Sequence, residues 1–111
     1  MVTVEIFIDE QQIIRGFTVE GHSDFAPHGE DIVCSAISAL TQTAVLGLTQ
    51  YLHLSPELTI KPGDIKCFLP KQLTGEQIKL TQAILQTLVL GLTAIEEVYG
   101  EFLVIHKRRW S

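Results

Sequence analysis

Two cysteines, four prolines and eight cations are all that 111 residues contain of those types, and each shortage excludes something. Two cysteines cannot build the disulfide framework that holds many small secreted domains together. With few prolines, no Pro/Ser-rich run, and 46% hydrophobic against 19% charged residues, the chain reads as globular rather than disordered, with no linker. Eight Lys and Arg against thirteen Asp and Glu give a net charge of −5. No general basic face is left for neutralising phosphates, and no direct nucleic-acid binding is expected. The opening MVTVEIFIDE has no basic segment and carries Glu5, so it does not read as a signal peptide. The apolar run Ala83–Ile95 is broken by Gln86, Thr87, Gly91 and Thr93 and reads as too short for a membrane span. The expectation is one cytoplasmic domain over residues 1–111, with reduced thiols and no membrane partner.

What is present is strongly patterned. Val2, Val4, Ile6 and Ile8 alternate with Thr3, Glu5 and Phe7, the period of a half-buried strand. DEQQ turns the chain into a second strand, Ile13–Glu20, which ends at Gly21-His22. After a polar loop, Ser23–Glu30, Asp31 is placed to cap a helix carrying Val33, Ile37, Leu40, Ala44, Leu48 and Tyr51 at helical spacing. Ser55-Pro56 stops that helix, and LTIKPGDIKCFLP reads as two short strands about the turn pair Pro62-Gly63. Thr74 with Gln77 three residues on forms a capping box for a second helix, with the stripe Ile78, Leu85, Leu88, Leu92, Ile95 and a stop at Gly100. EFLVIHKRRW supplies a last strand and a basic tail that offsets carboxylates; docking to an RNA-rich partner is its sharper alternative. The order β-β-α-β-β-α-β, with hairpins in place of crossovers, predicts an α+β fold: a largely antiparallel sheet with two helices laid against it. AVLGLTQ and LVLGLTA, one per helix, read more safely as helices meeting at glycines than as a repeat.

The chemistry concentrates in GHSDFAPHGEDIVCSAISAL, residues 21–40. A cysteine in the first turn of a helix is favoured as thiolate by the exposed amides there. On this reading Cys34 is a nucleophile, and His22, aimed by a strand end, is its acid/base partner. The helix amides would hold an oxyanion. Asp31 is an N-cap or, alternatively, an orienting third member; Ser38, one turn beyond Cys34, lines the pocket. Pro27 and Gly29 let the loop fold back as a lid over substrate. A lone cysteine on an apolar helix is ordinarily inert core, as Cys67 is read here. The neighbouring Gly-His pair and acidic loop are what tilt Cys34 the other way. A metal reading of His22, His28 and Cys34 matches no common zinc spacing, so neither metal nor cofactor is expected. His53 reads as a cap near a helix end.

The same stretch resembles the ribosomal-processing cysteine protease family Prp. Gly21, His22, Gly29, Asp31, Ile32, Val33, Cys34 and Ser38 match its pattern of a Gly-His pair, a glycine-containing loop and Asp-Ile-Val-Cys before small and apolar residues. Phe25, Pro27 and His28 fall outside the pattern. The resemblance implies a homodimeric α+β endopeptidase with Cys34 as nucleophile and His22 as base. Its substrate would be a short N-terminal extension of a large-subunit ribosomal protein, with aromatic residues before the cut and hence an apolar groove beside Cys34. The alternative is a non-catalytic ribosome-assembly or protein-binding module that keeps the motif as scaffold.

Overall fold

Alternation of apolar and polar side chains builds the first hairpin of the computed structural model, which describes residues 1–21 and 28–111, the side chains of 28–30 excepted. Strand β1 (Val2–Ile8) pairs antiparallel with β2 (Ile14–Glu20), setting Val4 opposite Val19 and Ile6 opposite Phe17. The second strand starts one residue later than its pattern suggested. The Asp9 carboxylate accepts the N–H groups of Gln11 (2.8 Å) and Ile13 (3.0 Å), which draws Ile13 into the turn.

Helix α1 (His28–Leu46) follows, then a π-helical turn, Gly47–Tyr51. The hairpin β3 (Glu57–Lys61) and β4 (Asp64–Phe68) closes about Pro62-Gly63, where Gly63 takes φ +73°, the left-handed position a proline-led type II turn reserves for glycine. Helix α2 (Gly75–Tyr99) and strand β5 (Leu103–Arg109) complete the chain. The strand order is β3-β4-β2-β1-β5, antiparallel except for β5, which lies parallel to β1. The α+β architecture and the element order are those the pattern predicts.

Both helices pack on one face of the sheet. Val2, Val4, Ile6, Phe17, Ile65 and Cys67 from the strands meet Val33, Ile37, Leu48, Leu85, Leu88 and Leu92 from the helices in one core. Phe17 is fully buried there, and its truncation to alanine would cost roughly 3–5 kcal/mol. The Thr74–Gln77 box forms as predicted, with Gln77 N–H donating to Thr74 Oγ1 (3.1 Å) and Thr74 N–H to Gln77 Oε1 (2.8 Å). The helices do pack closely at the two glycines, although each glycine faces a residue outside the other matched segment. A Cβ on Gly47 would lie 3.0 Å from Ile84 Cδ1, and one on Gly91 would lie 3.2 Å from Leu40 Cδ1. Tyr51 leaves the predicted stripe, because the π turn adds a residue per turn and rotates it out to 79% exposure. His53 takes φ +55° just beyond that turn and is exposed.

Helix α2 runs 25 residues, about 38 Å at the helical rise. It and the segment Asp31–Tyr51 are long and apolar enough to cross a membrane by length and composition, so the expectation that the run around Ala83–Ile95 is too short is corrected. Its stripe Leu85, Leu88, Leu92 is spent on the core instead.

The opposite sheet face is polar, with one aromatic cluster. Phe68 stacks on Trp110 at 5.4 Å between centroids, and Phe7 tilts against Phe68 at 5.3 Å. Gly16 is required beneath, since a Cβ would run into the Phe68 ring. The basic tail does offset carboxylates, Arg108 Nε meeting Glu5 Oε2 at 2.6 Å and Arg109 meeting Glu10 at 3.6 Å. These pairs are exposed and add little stability.

Cys67 is 1% exposed, and burial pushes its thiol from an ordinary 9.0 up to about 11. The unfolded chain therefore ionises this thiol first, so its contribution is complete below about pH 9 and lost as pH rises to about 11. Denaturant midpoints should show the wild type losing about 2 kcal/mol more than Cys67→Val between pH 8 and 11. Parallel decline of the two would contradict the assignment.

Candidate active site

Cys34 is the seventh residue of α1, one turn deeper than its predicted place. The helix begins at His28 because Gly29, Glu30 and Asp31, loop-like in composition, also suit a first turn, where carboxylates oppose the dipole favourably. Asp31 is therefore an exposed residue inside the helix and not its N-cap. Gly29 is the second helical residue and not a loop hinge. The amide of Cys34 belongs to the helical ladder, so the thiolate and oxyanion support expected from orphan amides does not come from its own N–H. His22 and residues 23–27 of the expected lid lie outside the described residues. So does the His22-dependent metal reading; among the described residues no three His, Cys, Asp or Glu side chains cluster.

Helical spacing keeps the other motif positions beside the thiol. Asp31 precedes Cys34 by three residues and Ser38 follows by four, which puts all three on one helix face. Cys34 is half-buried and packs against the core. Ser38 Oγ accepts the Gln42 side-chain amide at 2.7 Å. Neither cysteine is in a disulfide.

That helix face forms one wall of an open cleft of about 780 Å³. The opposite wall is the β3–β4 turn, Ile60 to Ile65, and Val2, Val19 and Gly21 also line it. Gly21 follows β2 directly with φ +109°, and a Cβ there would overlap the Met1 carbonyl oxygen. Its N–H donates to Gly63 O at 3.2 Å. The turn thus braces the strand end that precedes His22. Asp64, also at this wall, keeps Oδ1 buried with no hydrogen-bond partner.

Sequence reasoning placed Gly21, Cys34 and Ser38 at the site and missed the second wall. It also missed Gln42 and Leu46, although they continue the four-residue spacing from Cys34 through Ser38. No local pattern marks Ile60, because its role depends on how the hairpin docks.

Comparison with known proteins places the chain in a family. The family model described as Cysteine protease Prp matches residues 1–104. The ribosomal processing cysteine protease Prp of Staphylococcus aureus is 30% identical over 104 residues, 91% of this chain and 93% of that one. The Bacillus subtilis protein of the same name is 29% identical over 103 residues, 91% and 92%. The S. aureus ribosomal processing protease Prp solved with a substrate peptide superposes with TM-score 0.85 at 24% identity, covering 97% of this chain and all of that one. Its form with a covalently linked product peptide gives 0.82 at 26% identity, with the same coverage.

Proposed function

Because the chain belongs to the cysteine protease Prp family, and is on that ground a cysteine protease, we propose that it removes a short N-terminal extension from a large-subunit ribosomal protein in the cytoplasm. Cys34 is the nucleophile and His22 its base. The observation that carries this reading is the placement of Cys34 on the wall of an open cleft whose other side is braced at Gly21, the residue before His22.

The Cys34 thiolate attacks the scissile carbonyl and forms a tetrahedral oxyanion. His22 gives the proton it holds to the departing amine, leaving an acyl-thioester. It then takes a proton from the water that hydrolyses that ester. Ser38 shares the cleft wall, and because its oxygen accepts the Gln42 amide, its own hydroxyl proton is available to the cleft. Asp31, on Cys34's face one turn earlier, is an orienting residue for the pair.

A synthetic peptide spanning a ribosomal-protein N-terminus, incubated with the protein under reductant, should yield one cut by mass spectrometry, and thiol alkylation should abolish it. Cleavage indifferent to alkylation would defeat the assignment. The comparisons favour this catalytic reading over a non-catalytic assembly module.

The active form is a homodimer. Helix α2 carries Leu80, Leu90 and Val98 at 40%, 71% and 72% exposure on its outer side, with Ala83, Thr87 and Ala94 interleaved at helical spacing, an apolar stripe of the kind copies cover. Sedimentation should give a dimer at micromolar concentration for the wild type and a monomer for Leu90→Glu. A monomeric wild type removes the proposal.

A further inference from the structure

The phase of the β2–β4 ladder decides which main-chain groups of β3 are left over. Gly21 N–H donates to Gly63 O (3.2 Å) and Leu69 N–H to Arg15 O (2.8 Å). Ile65 and Cys67, between those two bonds, therefore spend their N–H and C=O groups on β2. Asp64, Lys66 and Phe68 are left to bond β3, at Lys61, Thr59 and Glu57. Leu58 and Ile60, opposite Cys67 and Ile65, thus turn their N–H and C=O groups away from β4, and β3 is the last strand on that side of the sheet. Their side chains share the helix-facing side with Cys67 and Ile65 and are 39% and 47% exposed. An apolar edge of this kind is a template for another extended chain. It is also continuous with the cleft. Val19 stands opposite Ile65 and Ile65 opposite Ile60, a row across the sheet, and all three line the cleft that Cys34 lines. The cleft thus reaches the β3 edge at Ile60 and Lys61.

Resting on the peptidase reading above, we propose that the free edge of β3 is a docking strand for the substrate, an extended peptide that joins the five-stranded sheet outside β3 where the cleft reaches Ile60. The outward N–H donors and C=O acceptors of Leu58 and Ile60 pair with alternate substrate residues, a pattern that an extended chain presents. A helix has spent its main-chain groups internally and cannot answer it. Main-chain pairing fixes the register of the substrate, while Leu58 and Ile60 favour apolar or β-branched side chains beside them. The occupant is the substrate and not a second copy, because Ile60 belongs both to the edge and to the cleft that carries the nucleophile.

The test uses the whole chain and peptides spanning the ribosomal-protein cut site, each carrying one N-methylated residue away from the scissile bond. Two amides two residues apart should each, when methylated, lower kcat/KM about three- to tenfold, the worth of one main-chain hydrogen bond. Methylation of the residue between them should leave it within about twofold. Ile60→Pro removes one outward N–H and no bond to β4. It should lower kcat/KM on the unmodified peptide by a similar factor, with the melting midpoint and the rate of Cys34 alkylation by iodoacetamide as in the wild type. If that variant melts early, the methylation scan on the wild type decides alone. A scan without the alternation, or undiminished cleavage by a stably folded Ile60→Pro, would overturn the docking strand while leaving the peptidase intact. A change of sedimentation coefficient in Ile60→Pro would overturn it too, since the edge would then be pairing copies. Failure of the wild type to cleave any peptide, methylated or not, would defeat the peptidase reading and this inference with it.

Discussion

Cys34→Ala is expected to lower peptide cleavage on the order of 10⁴-fold or more, with the fold intact. The large loss follows from covalent catalysis: without the sulfur no acyl-thioester forms, and binding with electrostatic stabilisation retains only a residual rate. The fold survives because the side chain is half-buried at a cleft wall and alanine is the best helix former. Cys67→Ala is the matched control. That thiol is 1% exposed and held protonated by burial, so its removal should cost about 1–3 kcal/mol of stability and leave turnover in place. Cleavage assays and denaturant melts on both variants separate the roles. Turnover surviving in Cys34→Ala would end the assignment.

Gly21→Ala should cost about a hundredfold in kcat, with KM moving far less, because a displacement of about 1 Å in a positioned catalytic group has that effect. Gly21 sits at φ +109°, a region that strains any residue with a side chain, and an added methyl would overlap the Met1 carbonyl. Its N–H is also tied to Gly63 O at 3.2 Å. The strain, about 1–3 kcal/mol, is relieved by tilting the strand end, and the next residue is the proposed base His22. Misplacement leaves the limbs of the pH–rate profile where they are and lowers the plateau, whereas a general loss of folding lowers the melting midpoint and active-site titre together. A variant retaining more than half of the wild-type kcat would show that the strand end does not set the base.

How much of this could be read from sequence depended on whether the cause was local. Val2–Ile8 declares itself because pleat geometry and burial act on alternate residues, and the Thr74–Gln77 box because its partners are three residues apart. The turn at Pro62-Gly63 is set by two residues' own dihedral limits. The helix start at His28 was hidden, since glycine and acidic residues serve loops and first turns alike. The parallel pairing of β5 with β1 joins residues a hundred apart, and no window of neighbours carries it. At the site, Gly21, Cys34 and Ser38 were legible as a motif on adjoining elements, while the wall opposite them arises from hairpin docking.

All described residues that line the cleft fall between positions 2 and 65, although α2 and β5 lie beyond them and supply much of the core. Cleft lining and much of the core support are thus carried by different stretches of the chain. Evolutionary drift in α2 would be felt first as thermal tolerance, because α2 packs the core and, among the described residues, lines no part of the cleft. For a designer the same partition is a licence: on the proposed peptidase reading, recognition can be rewritten on α1 and the β3–β4 turn against a support that, among the described residues, lines no part of the cleft.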